Sequence, residues 1–149
     1  MGSFAQGMLA FERGDFRKAA ALFSAAIADG DQAAAAYSKR GVCRIKWGDR
    51  EEAERDFRAA LGADDRCVSA IVNLGNLLLE RGELNEAQVC YERALRIDES
   101  DALAHYNLGV LFRKRGKVAE SIHELRLAAK YESKPEAARK RLTWWRKRN

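Results

Sequence analysis

Two adjacent tryptophans among cations close the chain in "LTWWRKRN", where Trp144 and Trp145 stand between Thr143 and Arg146. Indole rings beside cations could stack on nucleic-acid bases, anchor at a membrane surface, or close a hydrophobic core. Other side chains with chemical reach are sparse. Cys43, Cys67 and Cys90 are odd in number and form no CxxC pair, so they read as reduced, mostly buried small hydrophobes. "HEL" at His123 lacks the second histidine of a zinc-binding HExxH helix, and His105 and His123 fall on different predicted helices, each with a structural role. There is no GxSxG and no phosphate-cradling glycine loop. The sequence therefore carries no expectation of a catalytic residue, a metal or a cofactor. Arg113, Lys114, Arg115 and Lys117 form a cationic run at a helix end, where positive charge suits the helix dipole and solvent is the default surrounding.

The elements that would position these groups are helical. One proline in 149 residues, Pro135, with abundant Ala, Leu, Arg and Glu, predicts nearly continuous helix, and strand-like alternation is not seen. With 47% hydrophobic and 33% charged residues the composition is that of a single soluble domain. No apolar run approaches the ~18 residues of a spanning helix, and "MGSFAQ" has Gln6 where a myristoylation signal wants Ser or Thr. A secretory leader is not recognised either, so a cytoplasmic location is expected. The net charge of +5 is unevenly placed: residues from Lys134 onward carry a net +6, and residues 1 to 133 a net −1. Basic character belongs to the tail.

Glycines recur at Gly7, Gly41, Gly75 and Gly109, and again at Gly14, Gly48, Gly82 and Gly116, each set stepping by 34 residues. The same step links Ala19, Ala53, Ala87 and Ser121; Phe23, Phe57, Tyr91 and Leu125; and Ala26, Ala60, Ala94 and Ala128. This is an internal repeat in four copies, each reading as helix, short turn, helix. The second glycine set stands where the first helix must end in a left-handed residue, with Asp15 and Asp49 following as caps. The first set is mid-helix, where Gly costs about 1 kcal/mol against Ala. A closely crossing neighbour would offset that cost, with Phe23, Phe57 and Tyr91 filling the space beside it.

"AIVNLGNLLLERGELNEAQVCYERALRIDES" and "AHYNLGVLFRKRGKVAESIHELRLAAK" resemble the tetratricopeptide repeat (TPR). Departures are Ala10 at a position the family often gives to a large residue, and Asp31, Asp65, Glu99 and Ser133 where it often closes a repeat with proline. The resemblance implies an all-α, right-handed α-solenoid of antiparallel helix pairs. It places four repeats at approximately 1–33, 34–67, 68–101 and 102–134, with a capping helix at 135–148, in one domain. It also implies a concave groove lined by the first helix of each pair. Carried over by register, the groove residues are Phe4, Met8 and Phe11; Ser38, Lys39, Val42 and Ile45; Val72, Asn73, Asn76 and Leu79; and Tyr106, Asn107, Val110, Arg113 and Lys114. Ala5, Glu12, Ala35, Lys46, Ser69, Glu80 and Leu103 belong to the same set. Such a surface has an apolar floor, with asparagines able to hydrogen-bond a peptide backbone.

A non-catalytic scaffold that holds a peptide or helix of a partner protein is the expected function, with self-association through the groove an alternative. Family members that bind acidic chaperone tails use a carboxylate clamp. At Ser38, Val42, Asn73, Leu103 and Asn107 only Asn73 matches it, and starting one copy earlier, at Phe4, Met8, Lys39, Ser69 and Asn73, fares no better, so the clamp is not expected. Two other readings compete: nucleic acid or an acidic surface held by the basic tail, and the helical-repeat portion of a larger enzyme or assembly. The tail itself reads as a terminal helix opened by Pro135. Ala138, Leu142 and Trp145 share the face that packs back, Arg139, Thr143 and Arg146 turn outward, and Trp144 lies at the edge.

Overall fold

A computed structural model describes residues 1–132; the expected capping helix, with Trp144 and Trp145, lies outside them. The described residues form eight helices: α1 (Ser3–Glu12), α2 (Phe16–Asp29), α3 (Ala33–Lys46), α4 (Arg50–Ala63), α5 (Val68–Glu80), α6 (Leu84–Ile97), α7 (Ala102–Lys114) and α8 (Val118–Tyr131). Consecutive helices pair antiparallel across short turns, and none among the described residues is long and apolar enough to cross a membrane.

The turns form for the reason the spacing implies. Gly14, Gly48, Gly82 and Gly116 have φ of 79°, 90°, 81° and 75°, a left-handed conformation that closes the first helix of each pair. Asp15 then accepts a hydrogen bond from the Lys18 amide at 3.2 Å, and Asp49 one from the Glu52 amide at 3.3 Å, satisfying otherwise unpaired N–H groups of α2 and α4. Lys117 and Glu83 hold the equivalent positions for α8 and α6 without a side-chain cap.

The chain packs as two compact units, Met1–Leu77 and a second from Leu78 onward. In the first, Phe23 and Phe57 are fully enclosed, with Ala19, Ala26, Ala53 and Ala60 around them. Gly7 and Gly41 face those rings. A β-carbon on Gly7 would lie 2.7 Å from Phe23 Cε1, and one on Gly41 2.6 Å from Phe57 Cε1, so only a hydrogen fits. The mid-helix glycines thus mark close helix crossings. In the second unit Tyr91, Ala87 and Ala94 are buried, and Leu125 takes the ring's place against Gly109, 2.9 Å from where a β-carbon would stand. Ser121, which breaks an alanine register, is buried because its hydroxyl donates to the Gly109 carbonyl at 2.7 Å.

Of the three cysteines only Cys43 is buried; Cys67 and Cys90 are half-buried, so the expectation of mostly buried thiols holds for one. Burial pushes the Cys43 thiol up to about 11, which keeps it protonated at neutral pH.

Candidate functional site

The first helices of the first unit, α1, α3 and α5 as far as Leu77, meet through side chains at the expected groove positions. Phe4, Met8 and Phe11 of α1 are half-buried and pack against the core that contains Ala36 and Cys43 of α3. Phe4 lies 5.7 Å from Phe23 between ring centroids, and its amide donates to the Asp31 carboxylate at 3.0 Å. Val42 and Ile45 of α3 and Asn73 and Asn76 of α5 are half-buried as well. The side-chain amide of Asn73 has no hydrogen-bond partner among the described residues. The second helices differ: α4 turns Arg50, Glu51, Arg55 and Arg58 to solvent.

Not every expected groove residue offers surface. Ser38 is 1% exposed, its hydroxyl 2.9 Å from that of Ser69, and this pair ties α3 to α5. Val72 and Leu79 are buried too, at 1% and 8% exposed, as aliphatic side chains packed in the core. These three residues contribute to packing.

In the second unit α7 carries Tyr106 and Val110, both half-buried, with Arg113 and Lys114 exposed in its last turn. Asn107 is 9% exposed, and its side-chain nitrogen has no acceptor within reach. An unpaired buried donor costs about 1–3 kcal/mol, which an acceptor brought to it would recover. His105 has the structural place expected of it. Its ring nitrogens lie 2.7 Å from a Glu124 carboxylate oxygen and 2.8 Å from the Glu99 carbonyl, and its ring stacks on Tyr131 at 5.6 Å. His123 is exposed on α8. Among the described residues no three His, Cys, Asp or Glu side chains could hold a metal ion.

Sequence reasoning missed two features. The first is an ion cluster between α3 and α4. Asp56 is 2% exposed and receives Arg40 through Nη2 at 2.8 Å and Nε at 3.0 Å, while Arg44 Nη1 reaches it at 2.8 Å. That hydrogen bonding raises the Arg40 pKa. Arg40 also donates to the Ser24 hydroxyl of α2 at 3.0 Å, so one guanidinium spans three helices. The second is a set of cations over aromatic rings: Lys39 Nζ is 5.1 Å from the Phe11 centroid, Lys46 Nζ 5.8 Å from that of Phe16, and the Arg17 guanidinium 4.0 Å from Trp47. Such partners lie on different helices, so no i, i+4 spacing signals them.

Family comparison covers most of the described residues. The tetratricopeptide repeat model matches residues 4–66 and 44–87, and a TPR repeat model matches residues 75–116. No sequence match is found among curated proteins. Solved structures are similar in fold. The thermophilic TPR protein TTC0263 of Thermus thermophilus gives a TM-score of 0.78 at 20% identity, over 90% of this chain and 75% of its own. PilF of Pseudomonas aeruginosa gives 0.77 at 19%, over 91% of this chain but 62% of its own. MamA gives 0.70 at 18%, over 87% and 75%.

Proposed function

Because this chain belongs to the tetratricopeptide-repeat family, whose repeats generally serve as protein–protein interaction modules, we propose that it is a non-catalytic scaffold. Its first helices bind a polypeptide segment of another protein. The observation that carries this reading is the set of first-helix side chains on the first unit: Met8, Phe11, Val42 and Ile45 are half-buried, and α5, tied to α3 through Ser38 and Ser69, carries the unbonded side-chain amide of Asn73. Apolar side chains that already lie partly in the core bury further at small entropic cost, and the amide supplies a donor and an acceptor for a main chain. No enzyme family is among the matches.

The test is a comparison of captured partners by mass spectrometry between the native protein and a Val42→Asp, Asn73→Ala variant, with circular dichroism confirming equal helix content. The variant should lose its specific partners. An unchanged partner set at unchanged fold would refute this face, and a parallel Tyr106→Ala variant reports on α7 separately.

A further inference from the structure

Helix α3 carries four cations that divide sharply by partner. Arg40 and Arg44 turn toward α4 and are held by Asp56, with Glu52 3.7 Å from Arg44. Lys39, half-buried, faces Phe11 of α1 and Lys46, exposed, faces Phe16 at the start of α2, and neither has an ion pair among the described residues. Each rests instead over a phenylalanine ring, Phe11 or Phe16, and those rings touch one another edge to face at 5.4 Å between centroids. A ring under the ammonium fixes the position of the charge but satisfies none of its three donors as a carboxylate would. Seven residues separate the two lysines, two helical turns, so they share one side of α3 about 10 Å apart. Val42 and Ile45 lie between them in sequence, and the acid at the corresponding register position of α1 is Glu12 alone.

From this charge imbalance we infer that the occupant of the first unit's face is an acidic segment in extended conformation, with carboxylates three residues apart and apolar side chains between. The inference rests on the binding face proposed above. A polyproline-II chain turns every three residues and advances about 9 Å in that step, so carboxylates at i and i+3 point the same way at the spacing of Lys39 and Lys46. An extended chain also exposes the main-chain groups that the Asn73 amide can meet, which a helix would not. The arrangement is not the family's carboxylate clamp, because Lys46 falls outside the clamp positions and Val42 occupies one of them.

Fluorescence anisotropy with labelled Glu-Leu-Ser repeat peptides, their Gln-Leu-Ser counterparts and a single-stranded oligonucleotide tests it. The native protein should bind the Glu peptide about tenfold more tightly than the Gln peptide, since two partly exposed ion pairs supply a difference of that order. The preference should shrink with added salt, disappear in Lys39→Gln/Lys46→Gln, and persist in Lys39→Arg/Lys46→Arg. Equal binding of the two peptides overturns the acidic preference and leaves the face intact. Failure of Val42→Asp to weaken either peptide overturns the face itself. Absence of Glu-peptide binding, or tighter binding of the oligonucleotide, also refutes the proposal.

Discussion

Replacing Gly41 by alanine should destabilise the protein, although alanine is the better helix former. The new methyl carbon would stand 2.6, 2.9 and 3.0 Å from three carbons of the Phe57 ring, where optimal carbon contacts are about 3.5–4.0 Å. Phe57 is 1% exposed and its ring is rigid, so it has nowhere to turn, and α3 must instead lift from α4 by the better part of an ångström. Overpacking of this kind costs about 1–3 kcal/mol, and three simultaneous overlaps argue for the upper end. Helix propensity returns about 1 kcal/mol, leaving a net loss of about 2 kcal/mol. Urea unfolding followed by circular dichroism would show this as a lower midpoint at unchanged slope. The decisive arm is Gly41→Ala in a Phe57→Leu background. A leucine can move aside, so the alanine should cost at least about 1 kcal/mol less there. A neutral or stabilising Gly41→Ala, or an equal cost in both backgrounds, would refute the view that the 34-residue glycine register marks helix crossings.

Gly48→Ala should also destabilise, by about 1–2 kcal/mol, for another reason: open space surrounds the site, but φ of 90° is strained for any β-carbon, and a Phe57→Leu background should leave the cost unchanged. Asp56→Ala should cost about 3 kcal/mol in the same unfolding assay, the lower end of the range for a broken buried pair, because Arg40 and Arg44 retain 18% and 23% of their exposure to water. Native protein should show Cys67 and Cys90 reacting with a thiol reagent well before Cys43, which is buried and protonated. Because burial raises the Cys43 pKa to about 11, the folded state holds that proton above the unfolded thiol's range. Stability should therefore fall as pH rises from about 9 towards 11, and a Cys43→Ala variant should lose that part of the slope.

The helix pairs were legible because their determinants are local and repeated. Gly14 must turn, Asp15 must cap, and Gly7 must lie beside a large side chain; a 34-residue period shows all three in one line of text. Ser121 was legible as a register position but not as a hydrogen-bond donor, since its acceptor, the Gly109 carbonyl, is a main-chain atom on another helix. The groove assignment was partly legible. Register distinguishes first-helix positions but not depth, so Ser38 and Val72, which sit under their neighbours, look the same in sequence as Lys39 and Asn73, which do not. The Arg40, Arg44 and Asp56 cluster left no periodic trace because it occurs in one copy only.

That last contrast bears on where this chain's specificity is written. Positions that repeat, such as Phe23 and Phe57 or Ala26 and Ala60, are enclosed, and any partner meets almost none of their surface. Many positions of the first helices change from copy to copy: Ala5, Lys39, Asn73 and Asn107 share one register, Glu12, Lys46, Glu80 and Lys114 another, and Phe11, Ile45, Leu79 and Arg113 a third. A repeat fold requires the first kind of residue to stay similar, because each large buried side chain, Phe23, Phe57 or Leu125, must meet a glycine. It leaves the second kind nearly unconstrained by packing wherever the side chain reaches solvent. An unpaired cation over a ring, as at Lys39 and Lys46, contributes little to stability in that setting. Its place on α3 is therefore better explained by what the face must hold than by what the fold must bury.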